Sequence, residues 1–366
     1  MNESEEVPIP PGKRDWKWQL KNSVKDVKGL EKYISLTASE KDELQKCLEN
    51  FKMSITPYYI SLMDTGRKSC PIRLQAVPSF SELITRPEED ADPLGEEAQS
   101  PVKGLIHRYP DRVLMLVTYK CAMYCRHCTR RRVVGCGDAE LSYDDISACV
   151  RYIRSNENIS DVIISGGDPL TLPVKKLEYI LRSVRAVKHV GIIRIGTRVP
   201  VVLPMRINDE LVSMLRRYHP IYINTHFNHP VELSADACGA LSMLADAGIP
   251  LGNQTVLLRG VNNDPEILKD LFLKLLRNRV KPYYLYQCDL AKGISHFRTT
   301  VDEGLAIMKK LQGNISGMAI PKYVIDAPSG GGKIPILPDY YSINGDKVIL
   351  KNYLDKEYVY PNIAGG

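Results

Sequence analysis

Val113-Leu-Met-Leu-Val-Thr-Tyr-Lys-Cys121-Ala-Met-Tyr-Cys125-Arg-His-Cys128 is an apolar run followed closely by three cysteines. Val113 to Thr118 has the length of a strand rather than a helix, and its composition predicts a buried one. Cys121, Cys125 and Cys128 then form a C-x3-C-x2-C loop just past the strand. Three thiolates on one loop can hold three irons of a [4Fe-4S] cluster and leave the fourth open to bind and reduce a substrate. Zinc is the competing reading, but it usually takes four ligands, commonly in two pairs, and no second cysteine pair follows. His127 is adjacent to Cys128 and cramped as a fourth ligand, and Cys136 stands outside the tight spacing. Cys47, Cys70, Cys149, Cys238 and Cys288 are isolated and read as small buried residues.

The strand motif recurs outward from this stretch. Apolar runs at Val162–Ser165, Gly191–Ile195, Ile221–Thr225, Gln254–Leu258 and Tyr283–Gln287 follow it. They alternate with amphipathic stretches at Tyr143–Arg154, Lys176–Val187, Asp209–Tyr218, Ala235–Ala247, Pro265–Arg277 and Asp302–Gln312. Six strand–helix units predict an α/β fold of parallel βα repeats, either a partial (β/α)6 barrel or an open doubly wound sheet. Cys121, Ser165–Asp168, His226 and Asp289 all follow strand runs, on the C-terminal rim where both architectures place active sites. Ala319–Asp326 is a seventh strand candidate. Residues 1–105 read as an N-terminal helical region, with helical spacing at Trp16–Tyr33 and Ser39–Lys52 and an acidic, proline-containing loop or linker at Pro87–Pro101. Residues 106–318 read as the barrel, and 319–366 as a C-terminal segment ending in short strands and turns.

Composition narrows the setting. The net charge of +6 is mild, and much of the local positive charge sits at Arg126 and Arg130–Arg132. A nucleic-acid binder shows a broader basic stripe. No apolar run approaches the ~18 residues of a membrane span, and the acidic start, Met1 to Glu6, lacks a signal-peptide core. Nine cysteines without disulfide spacing fit a reducing cytoplasm. The expectation is a cytoplasmic protein with neither membrane nor nucleic-acid partner.

Two further stretches carry chemistry. Ser165-Gly-Gly-Asp-Pro169 has glycines that let backbone approach a ligand, though a plain βα turn has the same composition. Asp326-Ala-Pro-Ser-Gly-Gly-Gly-Lys333 is not a phosphate-cradling P-loop, because Ala327 stands where that motif needs Gly and Ile334 where it needs Ser or Thr. A lysine exposed on a mobile glycine-rich turn can form a Schiff base with a carbonyl; an ordinary flexible turn is the alternative.

The cysteine spacing resembles the signature of the radical S-adenosylmethionine (SAM) superfamily, and Ser165–Asp168 resembles its glycine-rich SAM-binding turn, with Asp168 replacing the commoner Glu. Gly104–Arg112, Met123–Arg132, Asn224–Pro230, Gly252–Gly260 and Asp326–Lys333 together resemble the lysine 2,3-aminomutase family, over about Trp16 to Tyr360. That resemblance implies an isomerase using a [4Fe-4S] cluster, SAM and pyridoxal 5'-phosphate (PLP), converting L-lysine to L-β-lysine. It implies Cys121, Cys125 and Cys128 as cluster ligands and Lys333 as the catalytic Schiff-base lysine. Arg108, Tyr109 and Arg112 match PLP-holding positions. His127, Ser165, Gly166, Gly167, Asp168, His226 and Gln254 match positions near the cofactors. Arg130 matches the arginine that grips the substrate carboxylate, and Asp289 and Asp326 match the carboxylates that grip its ε-ammonium. Two buried carboxylates are costly without a cation, so the expected partner is a small cationic amino acid and not glutamate.

The nearest alternatives are the same chemistry on arginine or on a lysine within a protein. An alternative of another class is an iron–sulfur RNA-binding protein using the arginine run, which leaves Lys333 without a role. Family members often carry C-terminal cysteines that bind zinc at a subunit interface. No cysteine follows Cys288 here, and Asp264 stands where the remaining one would be, so no structural zinc is expected. An external electron donor and homo-oligomerisation are also expected.

Overall fold

In the computed structural model, which describes residues 15–135 and 140–363, each strand pairs with its neighbour in the chain. The acidic N-terminal stretch and Cys136 lie outside the described residues. β1 (Leu105–Tyr109) and β2 (Arg112–Thr118) form an antiparallel hairpin. β3 (Asp161–Gly166), β4 (Ile192–Gly196), β5 (Ile221–Thr225), β6 (Leu251–Leu257), β7 (Val280–Gln287) and β8 (Lys322–Ala327) follow, each parallel to the one before. β9 (Gly332–Pro335) turns back antiparallel on β8. A doubly wound sheet reverses its strand order at a switch point. Strand order here equals chain order throughout, so the architecture is the partial barrel.

The longer helices between β2 and β8 span Tyr143–Ser155, Val174–Arg185, Asp209–Arg216, Ala235–Asp246, Pro265–Arg277 and Val301–Leu311. Side chains of Ser142, Asn208, Ser234, Asp264 and Thr300 accept from the first-turn amides and set where five of them begin. Asp264, at the position considered for zinc, is one of these caps. Leu177, Ile180, Leu181 and Val184 join Ile164, Ile193, Ile195 and Ile223 in one core between helices and sheet. The opposite strand face holds Ser165, Gln254 and Tyr286 and lines the barrel interior, because side chains alternate along a strand. A separate antiparallel sheet, β10 (Tyr341–Asn344), β11 (Lys347–Lys351) and β12 (Glu357–Pro361), ends the described chain. Among the described residues no helix is long and apolar enough to cross a membrane.

Four expectations are corrected. The single helix expected at Trp16–Tyr33 breaks into Trp16–Lys21 and Val27–Leu30, because Val24 pairs with Ile55 in an antiparallel bridge and Asp26 caps the second piece. The seventh strand begins at Lys322, since Ala319 ends a short 3-10 turn. Lys333 lies on strand β9, half-buried, rather than on a mobile turn. Pro87–Pro101 is not a free linker but a strap laid over the rim. Asp90 bridges to Ala291 after β7, and Glu89 accepts from the Gly293 amide at 3.0 Å. The Pro93 carbonyl accepts from Ser329, and Gln99 donates to the Gly330 carbonyl at 3.2 Å.

Candidate active site

Cys121, Cys125 and Cys128 follow β2 on a loop tied down from below. The Arg126 amide donates to the Gln75 carbonyl at 3.0 Å, and the Tyr124 amide to that of Ser54. All three cysteines are free thiols. Burial, then the charge of Asp168 and of the other two cysteines, pushes the Cys121 thiol well above its ordinary range. Burial, then Cys125, pushes Cys128 up to about 11. Thiols so raised ionise when a cation binds them. Among the described residues no three Cys, His, Asp or Glu side chains could hold a metal ion as a group. Three cysteines on one loop suit a four-iron cluster with one open iron, whereas zinc usually takes four protein ligands.

The Ser165–Asp168 turn abuts this loop directly. A Cβ on Gly166 would come within 2.2 Å of the Thr118 carbonyl, and one on Gly167 within 2.2 Å of the Lys120 carbonyl. The glycines thus admit the backbone leading into the cysteine loop. Asp168 is buried, and protein groups occupy its carboxylate: Leu170 and Arg198 amides at 3.1 and 2.7 Å and the Thr197 hydroxyl at 2.7 Å. Burial nevertheless raises its carboxyl to about 6. His226, just after β5, is lowered to about 4 by burial and by Arg198 and Arg130. Burial, then Arg198, also holds His127 well below its usual value, and its Nε2 lies 3.3 Å from Asn228 Nδ2. Both histidines are neutral at pH 7. Gln254 donates to the Tyr286 hydroxyl at 3.2 Å.

Lys333 faces Asp326 because the β8–β9 register sets them opposite one another. Its Nζ lies 3.2 Å from Asp326 Oδ1 and 5.4 Å from the Tyr286 ring centre. Asp289, in the loop after β7, shares this environment. Burial first and the Asp326 charge second raise its carboxyl to about 7, against the pull of Lys333 and Arg108. Tyr109 on β1 accepts from the Lys333 amide at 2.9 Å, and the Arg112 guanidinium stacks 4.1 Å from its ring centre. Gly332, at φ +86°, is required here, since a Cβ would come 2.9 Å from the Tyr109 hydroxyl. Arg108 donates to Gln99 Oε1 at 2.8 Å and to the Leu94 carbonyl. A lysine, two aromatic rings, two arginines and a glycine-lined approach fit an aldehyde cofactor bearing a phosphate.

The arginine run is consumed by acids. Arg126 and Arg131 both pair with buried Glu82; burial pushes that carboxyl up, but the two guanidinium groups outweigh it and hold it below its ordinary value. Arg132 pairs with Asp92 and Glu97 on the strap. Arg130 presents Nε and Nη2 to Glu96, with Nη2 at 2.6 Å from Oε1, leaving the Nη1 side of the fork as its outer edge. A set of neutralised arginines is no RNA surface, which removes the physical basis of that alternative.

The structure thus brings the three cysteines, Asp168 and Arg130 together past the strand ends and sets Lys333 against Asp326, whereas Arg112, paired with Asp161 in the strand ladder, lies at the opposite end of β2 and Gln254 lies mid-strand. Sequence reasoning missed Arg198, whose Nη1 donates to Cys125 Sγ at 2.8 Å, and its partners Gln75 and Glu232. The available signal was position: Arg198 follows a strand run just as Asp168 and His226 do. It also missed Glu82 and Glu96, which carry no motif.

Residues 308–363 match the family model described as Lysine-2,3-aminomutase, and residues 115–271 match that of the Radical SAM superfamily. The chain is 54% identical to an L-lysine 2,3-aminomutase of Methanococcus maripaludis, over 96% of this chain and 83% of that one. It is 52% identical to an L-lysine 2,3-aminomutase of Acetoanaerobium sticklandii, over 93% and 82%. A glutamate 2,3-aminomutase of Clostridioides difficile is 48% identical over the same shares, 93% and 82%.

Proposed function

The chain belongs to the lysine 2,3-aminomutase family of radical SAM enzymes, and on that premise we propose that it moves the amino group of L-lysine from the α- to the β-carbon, giving L-β-lysine. The observation that carries the choice of lysine is the partly buried pair Asp289 and Asp326 beside Lys333. When bound, the cluster with SAM supplies the radical, and PLP supplies the π-system that delocalises it.

The protein's own groups bind, orient and exclude. Lys333 holds PLP, with Tyr109 and Arg112 braced against each other beside it and Arg108 fixed by the strap. Lys333 Nζ stands against Asp326 where a substrate ammonium would bind, so moving Lys333 away frees the carboxylate pair for the substrate. The outer edge of Arg130, oriented by Glu96, takes the substrate carboxylate. Charges at the two ends then fix the lysine chain so that its Cβ meets the radical source, which is positioning rather than chemistry. The neutral His127 and His226 add no positive charge beside the substrate carboxylate or the cluster. The strap covers the rim and limits water.

A glutamate-acting site needs positive charge where Asp289 and Asp326 stand. Arginine, whose guanidinium also pairs with carboxylates, is the nearest competitor. Anaerobic incubation with SAM, PLP, reductant and each of lysine, arginine and glutamate separates them. A β-amino product is expected from lysine, and its absence overturns the substrate assignment. The reading includes a cytoplasmic setting, an external one-electron donor and a homo-oligomer. Exposed Tyr341, Ile343, Tyr358, Val359 and Tyr360 on the β10–β12 sheet support association.

A further inference from the structure

We infer that Arg198 sets the reduction potential of the iron–sulfur cluster through its hydrogen bond to Cys125, with Glu232 as the counterweight; this rests on the cluster assignment of Cys121, Cys125 and Cys128. Among the described residues Arg198 is the only side chain donating to a sulfur of these three.

The contact is built rather than incidental. Arg198 lies just beyond β4, and its backbone amide is pinned by Asp168 at 2.7 Å. Nη1 reaches Cys125 Sγ at 2.8 Å, while Nη2 donates to Gln75 Oε1 at 2.6 Å and Glu232 Oε1 at 2.8 Å. Glu232 is wholly buried and saturated: it also accepts from the Tyr59 hydroxyl at 2.7 Å, Gln75 Nε2 at 3.2 Å, and the Asn228 and His229 amides at 2.6 and 3.0 Å. Four separate segments of the chain therefore meet to hold one guanidinium against one cluster-ligand sulfur.

The redox consequence follows from charge. A low-potential one-electron donor passes one electron to the [4Fe-4S]2+ cluster and leaves [4Fe-4S]+, with one more negative charge spread over iron and sulfur. A guanidinium stays protonated throughout, so no proton accompanies the electron. A charge-assisted N–H donor on a ligand sulfur stabilises the more negative state and raises the potential. The low dielectric of the buried network strengthens that effect. Glu232, sharing the same guanidinium, cancels part of the positive field and holds the potential down.

Opposite substitutions should then move the potential in opposite directions. Anaerobically reconstituted wild-type, Arg198→Gln, Arg198→Lys and Glu232→Gln proteins would be titrated against redox mediators, with the reduced cluster read by electron paramagnetic resonance. Iron and sulfide counts on each sample report cluster loading separately. Arg198→Gln is expected to lower the reduced-to-oxidised ratio at the wild-type midpoint about tenfold, which is about 59 mV for one electron. Glu232→Gln is expected to raise it, and Arg198→Lys to fall between Arg198→Gln and wild type. If Arg198→Gln fails to take up a cluster, a positive shift in Glu232→Gln still supports the inference. An unmoved or negative shift in loaded Glu232→Gln overturns it. Wild-type protein without stoichiometric iron and sulfide would instead overturn the cluster assignment itself.

Discussion

The two aspartates beside Lys333 make opposing demands. Ionised together without a cation they repel in a buried site, and Asp289 responds with a carboxyl raised to about 7 from the free value of 3.8. In the ligand-free protein that shift costs stability as pH rises from 3.8 towards 7, and a bound ammonium removes the cost. Below about pH 7, lysine must displace a proton from Asp289 to bind; above it the carboxylate is ready. KM for lysine should fall as pH rises from about 6 to about 8, by up to roughly tenfold per unit on the acid side. Asp289→Asn should flatten that profile and raise KM by roughly tenfold or more, as expected for a lost charge-assisted bond of about 1.5–3 kcal/mol. Steady-state kinetics across that range checks both. At this scale the sequence was legible where chemistry clusters in a motif: the cysteines, Lys333, Asp289 and Asp326. Arg198, Gln75 and Glu232 were not, because each lies alone in its own segment and only the fold joins them.

Among the elements, the strap was the least legible and has the widest reach. Its prolines and acids read as a linker because its binding partners are arginines and glycine carbonyls far away in the chain. Once folded, it touches the arginine run through Asp92, Glu96 and Glu97, the post-β7 loop through Asp90, and the glycine turn through Gln99. Gln99 links Arg108 to Gly330, on two sides of Lys333. Gln99→Ala should weaken PLP binding roughly five- to 150-fold, from two hydrogen bonds at about 0.5–1.5 kcal/mol each, while the unfolding midpoint stays near wild type. Spectroscopic titration with PLP reads the first and circular dichroism the second; unchanged PLP affinity would show that the strap does not brace the pocket. The Trp16–Tyr33 helix failed for a related reason. Its spacing is helical, but Val24 is claimed by a distant partner, Ile55.

For the whole molecule, the βα rhythm was legible because each strand needs only its chain neighbour, so local periodicity carries the topology. Whether the sheet curls or opens depends on strand order, which six runs in a row do not display. Its last parallel edge relies on one small residue. Gly304, in helix Val301–Leu311, leaves room for Tyr323 on β8; a Cβ there would lie 2.2 Å from the Tyr323 hydroxyl. That hydroxyl donates to Gln287 on β7 at 2.6 Å. Gly304→Ala should therefore destabilise the fold by about 1–3 kcal/mol through overpacking, measurable as a lower urea midpoint with little change in slope. The identity of strand order and chain order has a consequence for synthesis. Each strand leaving the ribosome finds its only template already laid down, and domains form from the N-terminus onward. Lys333, on the final strand of that sheet, is delivered last. An interrupted chain can thus present the three loop cysteines without the amine, and, on the roles proposed above, capture of the aldehyde cofactor becomes a mark of a completed barrel sheet.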